Sequence, residues 1–161
     1  MQIWVDADAC PGEIKELLYR ASKRGQVDVT LVANQILQAP RSPRIHTLLV
    51  PGGMNEADRR IVELVAPGDL VITADIPLAA EVVGKGAQAL DPRGELYTDV
   101  NVGERHAVRN LIDEMRGAGR TMHGPSGFTA RNRQAFANQL DRWLARAMKE
   151  AAANNESPPT G

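Results

Sequence analysis

Over roughly its first 90 residues the chain alternates between short apolar, β-branched runs and longer segments with helical periodicity. This constrains the fold more than any single motif. Strands that alternate with helices of this length are joined by crossovers, and crossovers produce a parallel sheet with helices on both faces. "IWV" leads into Asp6 as a first strand. Pro11 then suits a helix start, Ile14, Leu17, Leu18 and Ala21 recur at helical spacing, and Gly25 stands where a stop belongs. Residues 27–33, 45–50, 69–73 and 87–90 read as further strands, and "ELYT" as a short extra one. Asn55 is placed to cap a helix to about Val65, Pro77 opens one through Val83, and Asn101 with Glu104 has capping-box spacing for a helix to Met115. The Gly-rich stretch 117–128 reads as a loop, and Pro40 and Pro43 break any long helix in the segment after the second strand. Thr129 begins a last helix whose Phe136, Leu140, Trp143, Leu144, Ala147 and Met148 form one apolar stripe, suited to core or to a second copy of the chain. The expected organisation is one domain over residues 1–150 and a polar, disordered tail over 151–161.

In a parallel sheet, ligands bind beyond the carboxyl ends of the strands, where the strand order switches direction. The sequence puts "WVDADACPG" at the end of the first strand. Asp6 and Asp8 stand there, Asp75 follows the fourth strand, and Asp58 lies in the first turn of the helix after the third. All four belong to one edge. Each has an ordinary explanation: Asp8 and Asp75 could cap helices, and Asp58 is favoured by a helix dipole. Asp6, still in the strand, is the least easily explained by capping. Together the carboxylates would repel one another, and a divalent cation removes that repulsion. An all-oxygen donor set suits Mg²⁺ or Mn²⁺, and such an ion activates water and stabilises charge on a phosphodiester. Asp6, Asp58 and Asp75 are the candidate metal ligands, Asp8 completes the catalytic set, and Asn34 and Thr73 at strand ends are candidate supporting donors.

The net charge of −1 gives the whole molecule no pull on nucleic acid, but the charge is unevenly spread. Residues 1–104 carry ten Lys and Arg against fifteen acids, and residues 105–146 carry eight Arg against three. Arg93, Arg105, Arg109, Arg131 and Arg133 are the candidate phosphate-binding residues, with RNA as the expected partner. Aromatics at 4% are few for a stacking platform. The single cysteine, Cys10, forms no internal disulfide and reads as a packing residue. Three scattered histidines give neither a zinc pattern nor a triad. No run approaches the length of a membrane span and no signal peptide opens the chain, so the expected location is the cytoplasm.

"IWVDADACPGEIKELLYRA", "LVANQ", "GDLVITADIPLAAEVVGKGA", "DPRGELYT" and "GP…RNRQAFANQLDRWL" resemble the YaiI/YqxD family of uncharacterised bacterial proteins, from residue 2 to about residue 146. Through that family the resemblance reaches the PIN-like nucleases. It implies a three-layer α/β/α Rossmann-like domain that cuts RNA with clustered acids holding Mg²⁺ or Mn²⁺. Asp6 matches the acid that such enzymes place after the first strand, and Asp75, in "TAD", matches one after a later central strand. Asp58 corresponds by position only, and Asp8 is a feature of the family pattern. That pattern has Asp-Arg before "QAF", where this chain has Asn132-Arg133.

The expected function is therefore a metal-dependent phosphodiesterase acting on RNA. Two alternatives stand beside it. "VDADA" also fits a haloacid-dehalogenase-type phosphatase with Asp6 as nucleophile, Asp8 as acid/base, Thr73 on the phosphate and Lys85 as the lysine, though the late acidic pair of such enzymes is missing. The other is a non-catalytic module that binds RNA or protein through the Arg-rich segment.

Overall fold

Six strands build one sheet in the computed structural model, which describes residues 1–53, 55–103 and 128–156. They are β1 (Gln2–Asp6), β2 (Asp28–Ala33), β3 (Ile45–Leu49), β4 (Leu70–Ile72), β5 (Gln88–Leu90) and β6 (Leu96–Tyr97). The order is β3-β2-β1-β4-β5-β6, parallel throughout except for β6, which pairs antiparallel with β5. Helices α1 (Gly12–Gly25), α2 (Glu56–Leu64), α3 (Ile76–Gly84) and α4 (Ala130–Glu156) cover it. The expected α/β architecture, with three layers and a mostly parallel sheet, is the one observed. β1 and β4 are neighbours, so the order reverses between them.

The two faces follow from the strand period of two. Ile3 and Val5 of β1, Val29 and Leu31 of β2, and Leu70 and Ile72 of β4 pack with Ile14 and Leu18 of α1 and Phe136, Leu140 and Leu144 of α4. Trp4, Val32 and Val71 point the other way, onto Ile61 of α2 and Leu78 and Val82 of α3. The stripe of α4 is therefore core, apart from Met148, which is half exposed. Among the described residues, no helix is long and apolar enough to cross a membrane.

Several ends differ from expectation. Gly25 does not supply the left-handed stop of α1; Gln26 does, at φ 53°. Gly25 is small because Leu144 needs the room: a Cβ there would lie 2.8 Å from Leu144 Cδ2. Asn55 stands at the start of α2 in the left-handed region, with no capping bond from its side chain. Asn101 turns its amide back, accepting from the Thr98 N–H and donating to the Leu96 carbonyl; Val102 and Gly103 are helical, and the rest of the helix expected to Met115 lies outside the described residues. α4 runs to Glu156, into the stretch expected as tail; Ala151, Ala152 and Ala153 are the strongest helix formers available.

At the amino edge of the sheet Asp69 is buried at 3% exposure. Its carboxylate accepts from the Gln2 and Ala66 N–H groups and from Trp4 Nε1, at 2.9–3.0 Å. Those three donors satisfy a structural acid in full, a useful contrast with the acids at the other edge.

Candidate active site

Strand period places the first site residues. Trp4 faces α2 and α3, so Asp6, two residues on, faces the same way. On β4, Val71 faces that layer, and Thr73 follows two residues later. Asp6 and Thr73 thus stand one step beyond the paired Val5 and Ile72, side by side at the switch point. The Thr73 hydroxyl donates to Asp6 Oδ2 at 3.2 Å and accepts from the Asp75 N–H at 3.0 Å. Thr73 is 2% exposed, so its one proton is committed to Asp6 and is not free for a ligand.

Asp75 caps α3, its Oδ1 accepting from the Leu78 N–H at 3.0 Å. Asp58 enters from the first turn of α2 and comes within hydrogen-bonding reach of Asp75. Burial, then the charges of Asp75 and Asp6, push the Asp58 carboxyl up to about 6. Asp6 is also raised, chiefly by burial and further by Asp75 and Asp8, while the Thr73 hydrogen bond opposes the rise. Three acids from β1, α2 and the β4–α3 junction therefore share one field. Their oxygens do not converge as a finished cage: among the described residues, no three His, Cys, Asp or Glu side chains are grouped to hold a metal ion.

Asp8 has a different task. Its Oδ2 accepts from the Asn34 N–H at 3.0 Å and its Oδ1 from Gln35 Nε2 at 3.5 Å, tying the end of β2 to the turn after β1. Asn34 contributes that backbone N–H. Cys10 is buried, and burial pushes its thiol up to about 12, consistent with a packing residue.

The arginines divide by position. Arg93 lies in the turn after β5, where its N–H donates to Asp91 Oδ1. That turn is clamped against α4: Gly94 has φ 96°, and a Cβ on it would come within 2.6 Å of Ala135 and Phe136. The first turns of α4, with exposed Arg131 and Arg133, are thereby held at the carboxyl edge, and Arg133 reaches to 4.0 Å from Glu13 in α1. Arg105 and Arg109 lie outside the described residues. Asn132 completes a capping box: its Oδ1 accepts from the Thr129 N–H and its own N–H donates to Thr129 Oγ1, both at 3.1 Å.

A cleft of about 480 Å³ opens between α2 and α3 beside Asp58 and Asp75, with Val62 and Leu78 as apolar wall and Arg59 and Glu81 among its polar lining. Sequence reasoning passed over Arg59 and Glu81. Arg59 follows Asp58 directly, which was a signal; that α2 and α3 lie together is a tertiary fact with no local signature. Lys85 is excluded from this edge, because it follows α3 at the opposite end, where its ammonium donates to the Val62 carbonyl.

The family model described as "Uncharacterized BCR, YaiI/YqxD family" matches residues 4–146. A UPF0178 protein of Dechloromonas aromatica is 56% identical over 146 residues, covering 91% of this chain and 97% of that one. One from Paraburkholderia phytofirmans is 52% identical over 164 residues, covering 99% of each, and one from Shewanella amazonensis 57% over 149, covering 92% and 100%. No solved structure matches the chain. With a single family model spanning the sheet, the acids and most of α4, and relatives alike over nearly their full length, this chain belongs to the YaiI/YqxD family.

Proposed function

We propose that the protein is a metal-dependent phosphodiesterase acting on RNA, in keeping with the resemblance to PIN-like nucleases. The observation that carries the reading is the contrast between Asp69 and Asp6. Asp69 is buried with three donors, and it builds structure. Asp6 is partly buried, accepts from Thr73 among the described residues, and faces Asp58 and Asp75, whose charge costs stability. A fold retains such an arrangement where a cation offsets it.

The donor set fits Mg²⁺ or Mn²⁺: hard carboxylate oxygens, no sulfur, and no nitrogen ligand. Asp6, Asp58 and Asp75 would hold the ion, which keeps several of its own waters, so a looser grouping than a cage is enough. When bound, the ion supplies an activated water and stabilises charge on the phosphodiester. Thr73 fixes the orientation of Asp6. Asp8 holds the β2 end in place beside it. Asp75 divides its oxygens between the α3 cap and the shared field. Arg93, Arg131 and Arg133 supply phosphate contacts at the same edge.

The phosphatase alternative loses Lys85 to the opposite edge and Asp8 to the Asn34 tether. The deciding assay is cleavage of single-stranded RNA in Mn²⁺ or Mg²⁺ by the wild type and by Asp6→Asn. Cleavage by the wild type alone supports the reading. A folded wild type that leaves RNA intact in both metals, or an Asp6→Asn that cuts equally well, overturns it.

A further inference from the structure

The cations assigned so far sit at the carboxyl edge, but a second group lies elsewhere. A pocket of about 340 Å³ opens between the outer face of α1 and the segment joining β2 to β3. Tyr19, Arg20 and Lys23 line it from the helix, and Pro40, Arg41 and Pro43 from the segment. Among the described residues the other arginines of this region are neutralised: Arg24 pairs with Asp141 at 2.5 Å and Arg44 with Asp28 at 3.5 Å. Arg20, Lys23 and Arg41 make no such pair there, and all three are exposed. The pocket is lined by no acid.

Its walls are fixed in advance. Leu37 and Ala39 pack the segment onto the core, and Tyr19 packs there from α1. Arg44 Nη1 donates to the Gln26 carbonyl at 2.8 Å and pins the lower end. At the upper end Asp8 holds Asn34, so the segment that walls the pocket begins at the candidate active site itself.

We propose that this pocket is an accessory site for single-stranded RNA, with Arg20, Lys23 and Arg41 on successive phosphates and the Tyr19 ring against a base. Glu16, one turn before Arg20, is the acid whose charge reaches Tyr19; against it stand three cations, so the wall keeps a positive surplus complementary to a polyanion. The partly exposed aromatic ring and two rigid proline faces give a base a surface to lie on, which a simple charge patch lacks. The continuous segment from Asn34 to Arg41 gives a strand leaving the acids a path to the pocket. The proposal rests on RNA being the substrate.

The test is fluorescence anisotropy of a labelled uridine oligomer of about ten nucleotides, with the full chain in EDTA so that nothing is cut. The combined Arg20→Ala, Lys23→Ala and Arg41→Ala variant is expected to bind at least about tenfold more weakly, with the slope of log affinity against log salt reduced by about 2. Tyr19→Leu is expected to lose about fivefold with the salt slope unchanged. Arg41→Glu, on the exposed segment, repeats the charge effect without touching α1. Unchanged affinity and slope in the triple variant and in Arg41→Glu, with melting curves like the wild type, overturn the proposal. So does displacement of the oligomer by polyglutamate of equal charge together with an inert Tyr19→Leu, which would assign the pocket to an acidic protein segment. Binding that needs these residues in a protein that never cuts RNA would sink the nuclease reading and leave the pocket; cutting with binding indifferent to them would do the reverse.

Discussion

Thr73 gives its single hydroxyl proton to Asp6 and takes the Asp75 N–H in return, so one buried side chain sets the relation between the two acids at the switch point. Thr73→Val keeps the shape and removes both bonds. It leaves the Asp75 N–H without its acceptor, and the expected loss is about 1–3 kcal/mol in urea unfolding. The Thr73 bond holds the Asp6 carboxyl down against the burial that raises it. Asp6 in the variant should therefore titrate at higher pH than in wild type, followed by carbon NMR of the carboxyl. An Asp6 titration that stays put or falls would break the link.

Asp58 gives a stability signature with a definite sign. Its folded carboxyl is raised, to about 6, above its unfolded value of 3.8. The unfolded state therefore releases this proton first, and stability falls as pH rises from about 4 to about 6. Asp58→Asn cannot ionise. It should match wild type near the bottom of that window and be the more stable protein at pH 7, by about 1 kcal/mol once solvent screening of a partly exposed group is allowed for. Urea midpoints for the pair across that range check it, and a variant less stable than wild type at pH 7 contradicts it.

The same repulsion predicts how metal acts. Mg²⁺ or Mn²⁺ should raise the melting temperature at pH 7, and do so less at pH 5, where Asp58 is largely protonated and less able to hold a cation. Calorimetric binding should vanish in Asp6→Asn, Asp58→Asn and Asp75→Asn. The last is a clean charge removal, because Asn caps a helix about as well as Asp and keeps the bond to the Leu78 N–H. Binding unaffected by all three would show that a cation sits elsewhere.

Much of this edge was legible in the sequence because strands and helices announce themselves locally. Asp6 could be assigned to a strand end, and Asp75 to the turn before a helix, from periodicity and Pro77 alone; the parallel order then put them on one edge. Periodicity also carries further than the edge: Trp4 facing one layer dictates that Asp6 faces it too. What local pattern does not encode is how distant pieces meet. Asp8 reads as a catalytic acid or a helix cap, yet it holds Asn34 and Gln35, 26 and 27 residues further along the chain. Gly25 reads as a stop, yet it makes room for Leu144. Thr73 reads as a donor to a ligand, yet burial commits its proton to Asp6. In each case the residue type was informative and its partner came from tertiary packing.

Gly94 shows how the arginine-bearing helix is docked. Its φ of 96° favours glycine, and a Cβ would meet Ala135 Cβ at 2.5 Å and the Phe136 nitrogen at 2.6 Å. Backbone cannot yield as a flexible side chain would. Gly94→Ala should cost about 2–4 kcal/mol from the combined strain and overlap. It should also lift the first turns of α4 off the sheet, so RNA affinity through Arg131 and Arg133 should fall with stability. Denaturation together with oligomer binding tests this, and a neutral substitution would mean that α4 does not rest on this turn.

Asn132 stands where the resemblance leads one to expect Asp, and its geometry explains what the position needs. It must accept a hydrogen bond from the Thr129 N–H while its own N–H donates to Thr129 Oγ1. Asn does this as well as Asp. Asp would add a negative charge in the first turn of α4, favourable by about 0.3–1 kcal/mol. Asn132→Asp should therefore stabilise the protein by that amount, more at low salt than at high, and leave RNA cleavage unchanged. Thr129→Ala should cost about 1 kcal/mol by removing the other half of the box. If Asn132→Asp instead raised turnover several-fold at constant stability, position 132 would belong to the chemistry, and the acid set would have to be redrawn to include the start of α4.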